Sequence, residues 1–304
     1  MGAAKIFFQR RAENHHMDDL WLMVGSLCNL KCIHCYVDSS PENDSLEQLT
    51  LAEVKTYLAE GARFGLRSVY FTGGEPFINK EIISMLHEAL KQGEVTVLTN
   101  ATTPIVRYMD QISELHRENE GRLVLRVSMD HYREDRHDAI RGEGTFQKTV
   151  RNTIELSRRG IRLVLTVTPE VYRGNRLPPD AIAEEFKRLF ANKGADVEVK
   201  ILPAVLELGA QTRRRDQAST FNIVTEESMK ALSAQPESLM CYNGRSVLKR
   251  NGQCRVYPCP IIYEVPEFDL GATLLESFTR PVFLSHRSCA QYCCLGPGKG
   301  SCVN

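Results

Sequence analysis

A chain of 304 residues is long enough for one large domain and a small one. Its 42% hydrophobic residues can fill a sizeable core, while 38 basic against 38 acidic residues leave no net charge to draw it to a phosphate backbone. No stretch reaches the roughly 18 apolar residues of a membrane span, and the N-terminus carries charges early without a signal-peptide apolar core, so the sequence predicts a cytoplasmic protein that binds neither nucleic acid nor membrane.

In chain order, a strand is predicted over 20–26, followed by a helix opened by the capping box Thr50–Glu53 and carrying Leu51, Val54 and Leu58 on one face. Strand 68–72 precedes a helix capped by Asn79 with Ile82, Ile83, Leu86 and Leu90 at helical spacing. Strand 94–99 leads to a helix with Thr103-Pro104 in its first turn. Strand 122–128 is followed by a helix after Gly144 that buries Phe146, Val150 and Ile154. Strand 161–167 is followed by a helix after Pro178-Pro179 that buries Ile182, Phe186 and Leu189, and strand 196–202 ends the series. The strands are Val-, Leu- and Ile-rich with few polar interruptions, as strands covered on both faces are. Six such units imply a parallel α/β sheet with right-handed crossovers, either open and doubly wound or a partial barrel. In both, chemistry gathers at the C-terminal strand ends, and Cys28 lies two residues beyond the first of them.

Past residue 205 the pattern stops. Residues 206–220 read as a linker, with Arg213, Arg214 and Arg215 as a solvated loop. The last seventy residues hold Pro, Gly and seven cysteines with little apolar periodicity, so metal ligation is the expected substitute for a core. The expected division is 1–210 for the main domain and 211–304 for a small cysteine-rich one.

In a reducing compartment, clustered cysteines suggest metal or redox chemistry rather than disulfides. The ten fall in two groups, with none between 36 and 240. The first is Cys28-x3-Cys32-x2-Cys35, an unusual set of three. Structural zinc takes four closed ligands, and His34, adjacent to Cys35, is badly placed to complete such a set. An iron–sulfur cubane can be held by three thiolates with one iron left open. The second group is Cys241-x12-Cys254-x4-Cys259 followed by Cys289-x3-Cys293-Cys294-x7-Cys302.

The pair "CNLKCIHCY" (28–36) and "YFTGGEPF" (70–77), followed by "LTN" (98–100), "SMD" (128–130) and "HDAIRGEGTF" (137–146), closely resembles the radical S-adenosylmethionine superfamily. The resemblance covers about 20 to 205 and implies a partial (β/α)6 TIM-like barrel. Cys28, Cys32 and Cys35 would hold a [4Fe–4S] cluster whose open iron is chelated by S-adenosylmethionine. Electron transfer through the cluster would then give a 5′-deoxyadenosyl radical that abstracts a hydrogen atom. Gly73 and Gly74 would let backbone groups approach the methionyl ammonium, Glu75 would add an acceptor, and Pro76 would stiffen the turn. Ser128 would meet the ribose or carboxylate end, and Arg141 would grip the methionine carboxylate with its planar fork. Asn100 and Asp130, at two strand ends, would face the substrate space; Asn100 as a helix-entry turn, and Asp130 with His131 as a loop-capping pair, are equally open readings. His137 is expected to pair within its loop, and Tyr36 either packs or contacts adenine. The family position before the last cysteine is often aromatic and here is His34.

"GQCRVYPCP" (252–260) and "LGATLLESF" (270–278), followed by the cysteine tail, resemble a SPASM/twitch extension with auxiliary [4Fe–4S] clusters. One such cluster is expected, held by Cys241 and Cys259 around a hairpin turning at Asn251-Gly252, with Cys289 and Cys293 as the return pair. A second auxiliary cluster and a structural zinc site are the alternatives; Cys254, Cys294 and Cys302 are left over as free thiols, substitute ligands or, for Cys294, part of a second cluster. The resemblance implies an oxidation, epimerisation or crosslinking of a small molecule, or of a peptide delivered by another protein, with a reductant such as flavodoxin or ferredoxin. The reading from a different class is a non-catalytic iron–sulfur electron carrier or zinc regulatory protein.

Overall fold

The computed structural model of the chain describes residues 5–6, 16–168, 171, 177–202, 224–231, 233, 235–286, 288–289 and 293. Strand β1 (Lys5–Ile6) stands apart and pairs with β10 (Val282–Phe283). The remaining strands, β2 (Asp19–Met23), β3 (Ser68–Thr72), β4 (Glu94–Thr99), β5 (Leu123–Ser128), β6 (Arg162–Val167), β7 (Glu198–Ile201), β8 (Gly244–Arg250) and β9 (Gln253–Tyr257), form one sheet in the order β7-β6-β5-β4-β3-β2-β8-β9. From β7 to β2 every pairing is parallel, and the sheet is not closed on itself: a partial (β/α)6 barrel of the α/β class.

The helices between these strands follow the apolar spacing. In α1 (Leu51–Ala62), Thr50 Oγ1 accepts from the Glu53 amide at 3.3 Å while Glu53 Oε2 accepts from the Thr50 amide at 2.8 Å, a closed capping box. The next helix, α2 (Ile82–Leu90), buries Ile82, Met85, Leu86, Ala89 and Leu90. Its N-cap is Glu81 rather than the expected Asn79, which sits two residues earlier and accepts from the Glu81 amide. Further along lie α3 (Thr103–Val106), α4 (Met109–Glu118), α5 (Glu134–Arg141), α6 (Thr145–Arg158) and α7 (Pro179–Ala191). Ile182, Phe186 and Phe190 of α7 are wholly buried, each contributing about 1.5–3 kcal/mol of apolar burial.

The C-terminal hairpin is continuous with this sheet. Strand β8 runs parallel to β2 in the register Asp19↔Gly244 to Leu22↔Val247, and β9 returns antiparallel through Asn251 and Gly252. Both turn residues have positive φ, 50° and 73°, the backbone of a two-residue hairpin loop that Asn-Gly favours. No helix among the described residues is long and apolar enough to cross a membrane.

Candidate active site

At the C-terminal ends of β2 to β6 one cavity opens, lined by the three cysteines 28, 32 and 35 together with Tyr36, Gly73, Gly74, Asn100, Ser128 and Arg141. Nine of the residues expected at the site therefore share one space.

The cysteine loop is anchored at both ends. Ser26, fully buried, accepts from the Leu46 amide and donates to the Asn43 carbonyl, both at 2.9 Å, so the chain returns beside its own start. The Cys28 amide donates to Ser40 O at 3.1 Å, and Tyr263, from beyond the hairpin, donates its hydroxyl to Tyr36 O at 3.0 Å. Tyr36 itself shares a hydrogen bond with Thr72 at 3.0 Å.

The two glycines have a role that the motif alone did not reveal. The Gly74 amide donates to Gly25 O at 2.8 Å, and the Glu75 amide to Leu27 O at 3.0 Å. A Cβ on Gly74 would lie 2.0 Å from Leu27 O, and one on Gly73, whose φ is +123°, 2.3 Å from Gly25 O. Absent side chains thus let the loop after β3 lie against the loop that carries the cysteines.

Three expected residues stand behind the cavity wall. Pro76 is buried at the start of a single turn, Pro76–Ile78. Glu75, expected to add an acceptor for the methionyl ammonium, is 3% exposed and turned inward: it accepts from the Phe77 amide, the Thr99 hydroxyl at 2.8 Å and the Asn100 amide at 2.8 Å. Burial pushes its carboxyl up to about 7 against these hydrogen bonds. Asp130 does not face the substrate space either. It is fully buried and accepts from Arg141 Nε at 2.5 Å, His34 Nε2 at 2.9 Å and the Thr168 hydroxyl at 2.5 Å. Burial would raise its pKa, but Arg141 and His34 outweigh it and hold the carboxyl well below the usual range. Neighbouring His131 caps the loop instead, its Nδ1 accepting from the Arg133 amide at 3.0 Å. His137 makes no loop pair; both its ring nitrogens are buried without a hydrogen-bond partner among the described residues, and its ring packs on Phe146.

Around the sulfurs lies a shell of donors. Cys28 Sγ accepts from the Leu30 amide at 3.4 Å and Asn100 Nδ2 at 3.7 Å, Cys32 Sγ from Arg141 Nη1 at 3.8 Å, and Cys35 Sγ from the Ser39 amide at 3.3 Å. Burial, with Glu75 nearby, pushes the Cys28 thiol up to about 12; burial also takes Cys32 to about 11, opposed by Arg141. Such thiols ionise only when a cationic centre repays their desolvation. Among the described residues no three His, Cys, Asp or Glu side chains close around a single ion. Three soft thiol donors lining one cavity, supported by N–H groups, fit a larger iron–sulfur cluster better than one zinc ion.

Sequence reasoning missed other cavity residues. Trp21, Arg126 and Thr166 line it from within strands, Thr168 from just past β6, and Pro260 and Ile261 reach it from beyond the hairpin. A period-two pattern in β5 places Arg126 on the same face as Ser128, which is the signal that could have found it.

A second, apolar cavity is lined by Cys241, Cys259, Cys289 and Cys293. Cys241 lies in a short helix, Met240–Asn243, just before β8, and Cys259 follows β9, so hairpin closure brings them together. Cys254, on β9, does not line it, while Cys294 and Cys302 lie outside the described residues.

Comparisons with known proteins agree with this geometry. Antilisterial bacteriocin subtilosin biosynthesis protein AlbA of Bacillus subtilis is 30% identical over 166 residues, 54% of this chain and 35% of the relative. Pre-heme d1 synthase of Dinoroseobacter shibae is 29% identical over 171 residues, 56% of this chain and 39% of the relative. The matched region thus spans well under half of either relative. Among solved structures, Streptococcus suis SuiB bound to precursor peptide SuiA superposes with a TM-score of 0.62 at 13% identity, covering 88% of this chain and 65% of that one. The structure of anSMEcpe with bound AdoMet and Cp18Cys peptide superposes at 0.59 and 16% identity, covering 86% and 80%; both establish the fold. Residues 22–173, half of the chain, match the family model described as the radical SAM superfamily. With the cysteine loop, the glycine loop and the partial barrel in one arrangement, the chain belongs to the radical SAM superfamily.

Proposed function

We propose that this enzyme uses Cys28, Cys32 and Cys35 to hold a [4Fe–4S] cluster with one open iron, and that Tyr36, Gly73, Gly74, Asn100, Ser128 and Arg141 form the binding surface for S-adenosylmethionine beside it. Glu75, Pro76 and Asp130 serve that surface from behind, by fixing Asn100, the glycine loop and Arg141. The supporting observation is the single cavity in which the three thiols, the glycine loop and the Arg141 guanidinium meet. When bound, the cluster supplies the electron that cleaves S-adenosylmethionine to the radical that takes a hydrogen atom from substrate. The chain's own residues orient and enclose: Arg141 presents N–H donors toward Cys32, Asn100 toward Cys28, and Trp21, Leu98 and Ile261 give the cavity apolar walls that exclude water.

The reading extends to an auxiliary [4Fe–4S] cluster on Cys241, Cys259, Cys289 and Cys293 in the 211–304 segment, serving to take an electron from the substrate radical or to ligate substrate. Support comes from the four thiols sharing one cavity next to the segment, Pro260 and Ile261, that lines the first. The substrate is a peptide or a small molecule. A peptide is favoured by the solved structures of similar fold, two of which are described as binding one. The reaction is an oxidation, epimerisation or crosslinking, with a flavodoxin or ferredoxin as reductant in the cytoplasm, where ten cysteines stay reduced.

The test is anaerobic. The protein is reconstituted with iron and sulfide, mixed with S-adenosylmethionine and dithionite, and followed for 5′-deoxyadenosine by mass spectrometry beside a Cys28/Cys32/Cys35→Ala control. Product in the native protein alone is expected. Zinc as the bound metal would sink the reading in favour of a regulatory zinc protein, and a reducible cluster that never cleaves the sulfonium with any candidate peptide would favour an electron carrier.

A further inference from the structure

On the outer side of the cysteine loop a broad groove runs between that loop, α3 and the start of α6. Its charge is one-sided. Lys31, Lys80, Arg107 and Lys148 line it and are exposed, as is Glu143, which is the one carboxylate of the lining. Arg141 adds a fifth cation at the inner edge. For a chain with no net charge this is a concentrated patch. It is also uncommitted: Lys31, Lys80 and Lys148 make no ion pair or hydrogen bond among the described residues.

The groove is not merely a solvated basic face, because apolar surface lies within it. Val106 is 48% exposed in the lining, and Ile33, 47% exposed, lies outside the lining on the neighbouring cysteine loop. A mostly cationic lining with an exposed apolar residue suits a transient protein interface, in which the charges steer the encounter.

Position selects the kind of partner. Leu30 and Arg141 line both this groove and the cavity of the three cysteines, and Arg141 Nη1 stands 3.8 Å from Cys32 Sγ. One side chain therefore separates the groove from a sulfur of the site. Electron transfer between two centres falls steeply with distance, so a carrier seated here is placed close to the three-cysteine site.

We propose that this groove is the docking surface of an acidic one-electron carrier protein, of the flavodoxin or ferredoxin kind, and the entry point for the cluster's electron. The inference rests on the three-cysteine site holding a [4Fe–4S] cluster. In each encounter the carrier is oxidised by one electron and the cluster reduced by one; no bond is made or broken. Net positive charge in the groove meets net negative charge around the carrier's redox centre, which raises the association rate and makes it sensitive to salt.

The experiment uses the full, reconstituted protein and stopped-flow bleaching of its cluster absorbance, with reduced flavodoxin, reduced ferredoxin and dithionite as separate donors. Lys80→Glu/Lys148→Glu is compared with the native chain, and the neutral Lys80→Gln/Lys148→Gln is the second variant should charge reversal impair folding. Expected are a native rate with at least one protein donor that falls with salt, a loss of roughly tenfold in that rate in the reversed variant, and an unchanged rate with dithionite. Native-like reduction of the variants by both carriers would overturn the proposal. So would native protein that dithionite reduces and neither carrier does, or a variant slowed equally with dithionite. Failure of the underlying reading is seen separately, as native protein in which no reducible cluster forms before any donor is added, and the proposal falls with it.

Discussion

Arg141 and Asp130 form a buried ion pair, Nε to Oδ2 at 2.5 Å, and the same guanidinium directs Nη1 at Cys32 Sγ. The pair joins the last residue of α5 to the loop just past β5, and His34 joins it from the cysteine loop through Asp130 Oδ1. A carboxylate that never meets the cavity thus sets the direction of the cation that does. Burial disfavours the Arg141 charge, but Asp130 and Cys32 hold its pKa above the ordinary arginine value.

Replacing Asp130 with Asn leaves Arg141 buried without its counter-charge, so the apoprotein loses about 3–5 kcal/mol of stability in urea unfolding. Iron retention at the three-cysteine site falls as well, since nothing then aims Arg141 at Cys32. Because the folded pKa of Asp130 is depressed, its stabilisation is present above the carboxyl's unfolded value and is lost only as the pH falls through the lower folded one. An unchanged urea midpoint in Asp130→Asn would refute this account.

Glu75 has the opposite sign. Its folded pKa is raised from 4.5 to about 7, so between those values the native state keeps a proton that the unfolded chain has released. Its contribution is complete below 4.5, declines as the pH rises to about 7 and is flat beyond, a loss of about 3 kcal/mol. In Glu75→Gln that slope disappears, though the amide can no longer accept from Phe77, Thr99 and Asn100 together. Urea midpoints of the two apoproteins at about pH 5 and 8 decide it: a difference that does not change with pH counts against a buried titrating carboxyl.

The sequence made the frame legible because its signals are local. Runs such as Leu20–Val24 are apolar on both faces, and Cys28, Cys32 and Cys35 fall within eight consecutive residues, so pattern and spacing suffice. Likewise Asn251-Gly252 announces the hairpin whose closure brings Cys241 and Cys259 to one cavity. What stayed hidden is non-local. Nothing near Gly244 says that β8 pairs with β2, more than two hundred residues earlier. At a strand end, sequence places Asp130 but not the way its side chain turns, and its three donors come from His34, Arg141 and Thr168. The glycine loop was read as clearance for a ligand, whereas the nearest atoms are the carbonyls of Gly25 and Leu27.

That close approach predicts a sharp contrast between glycines. Gly74→Ala places a Cβ where Leu27 O stands, 2.0 Å away, and must push the glycine loop off the cysteine loop. A loss of more than about 3 kcal/mol and of most iron at the three-cysteine site is expected. Gly252→Ala meets no atom within 4 Å and bears only its positive φ of 73°, so it costs about 1 kcal/mol and leaves iron content unchanged. Equal effects in thermal melts and iron assays would remove the steric explanation.

The four-cysteine cavity gives the last prediction. Cys241→Ala or Cys259→Ala removes about four iron atoms from the reconstituted protein, whereas Cys254→Ala removes none. Cys254 is instead surrounded by Tyr57, Glu53 and Lys249, outside that cavity. Beside the cavity Arg245 is fully buried, donating to Cys241 O at 3.0 Å and Ser277 Oγ at 3.0 Å and lying 4.3 Å over the Phe278 ring. Burial pushes its pKa down to about 9 and the Cys241 sulfur opposes that shift. A cation held there favours added negative charge on whatever the thiolates ligate, so Arg245→Met lowers the reduction potential of the proposed auxiliary cluster and Arg245→Lys lowers it less. Redox titration followed by electron paramagnetic resonance separates this from a packing role, which would reduce cluster occupancy in both variants while leaving the potential of the remaining clusters where it was.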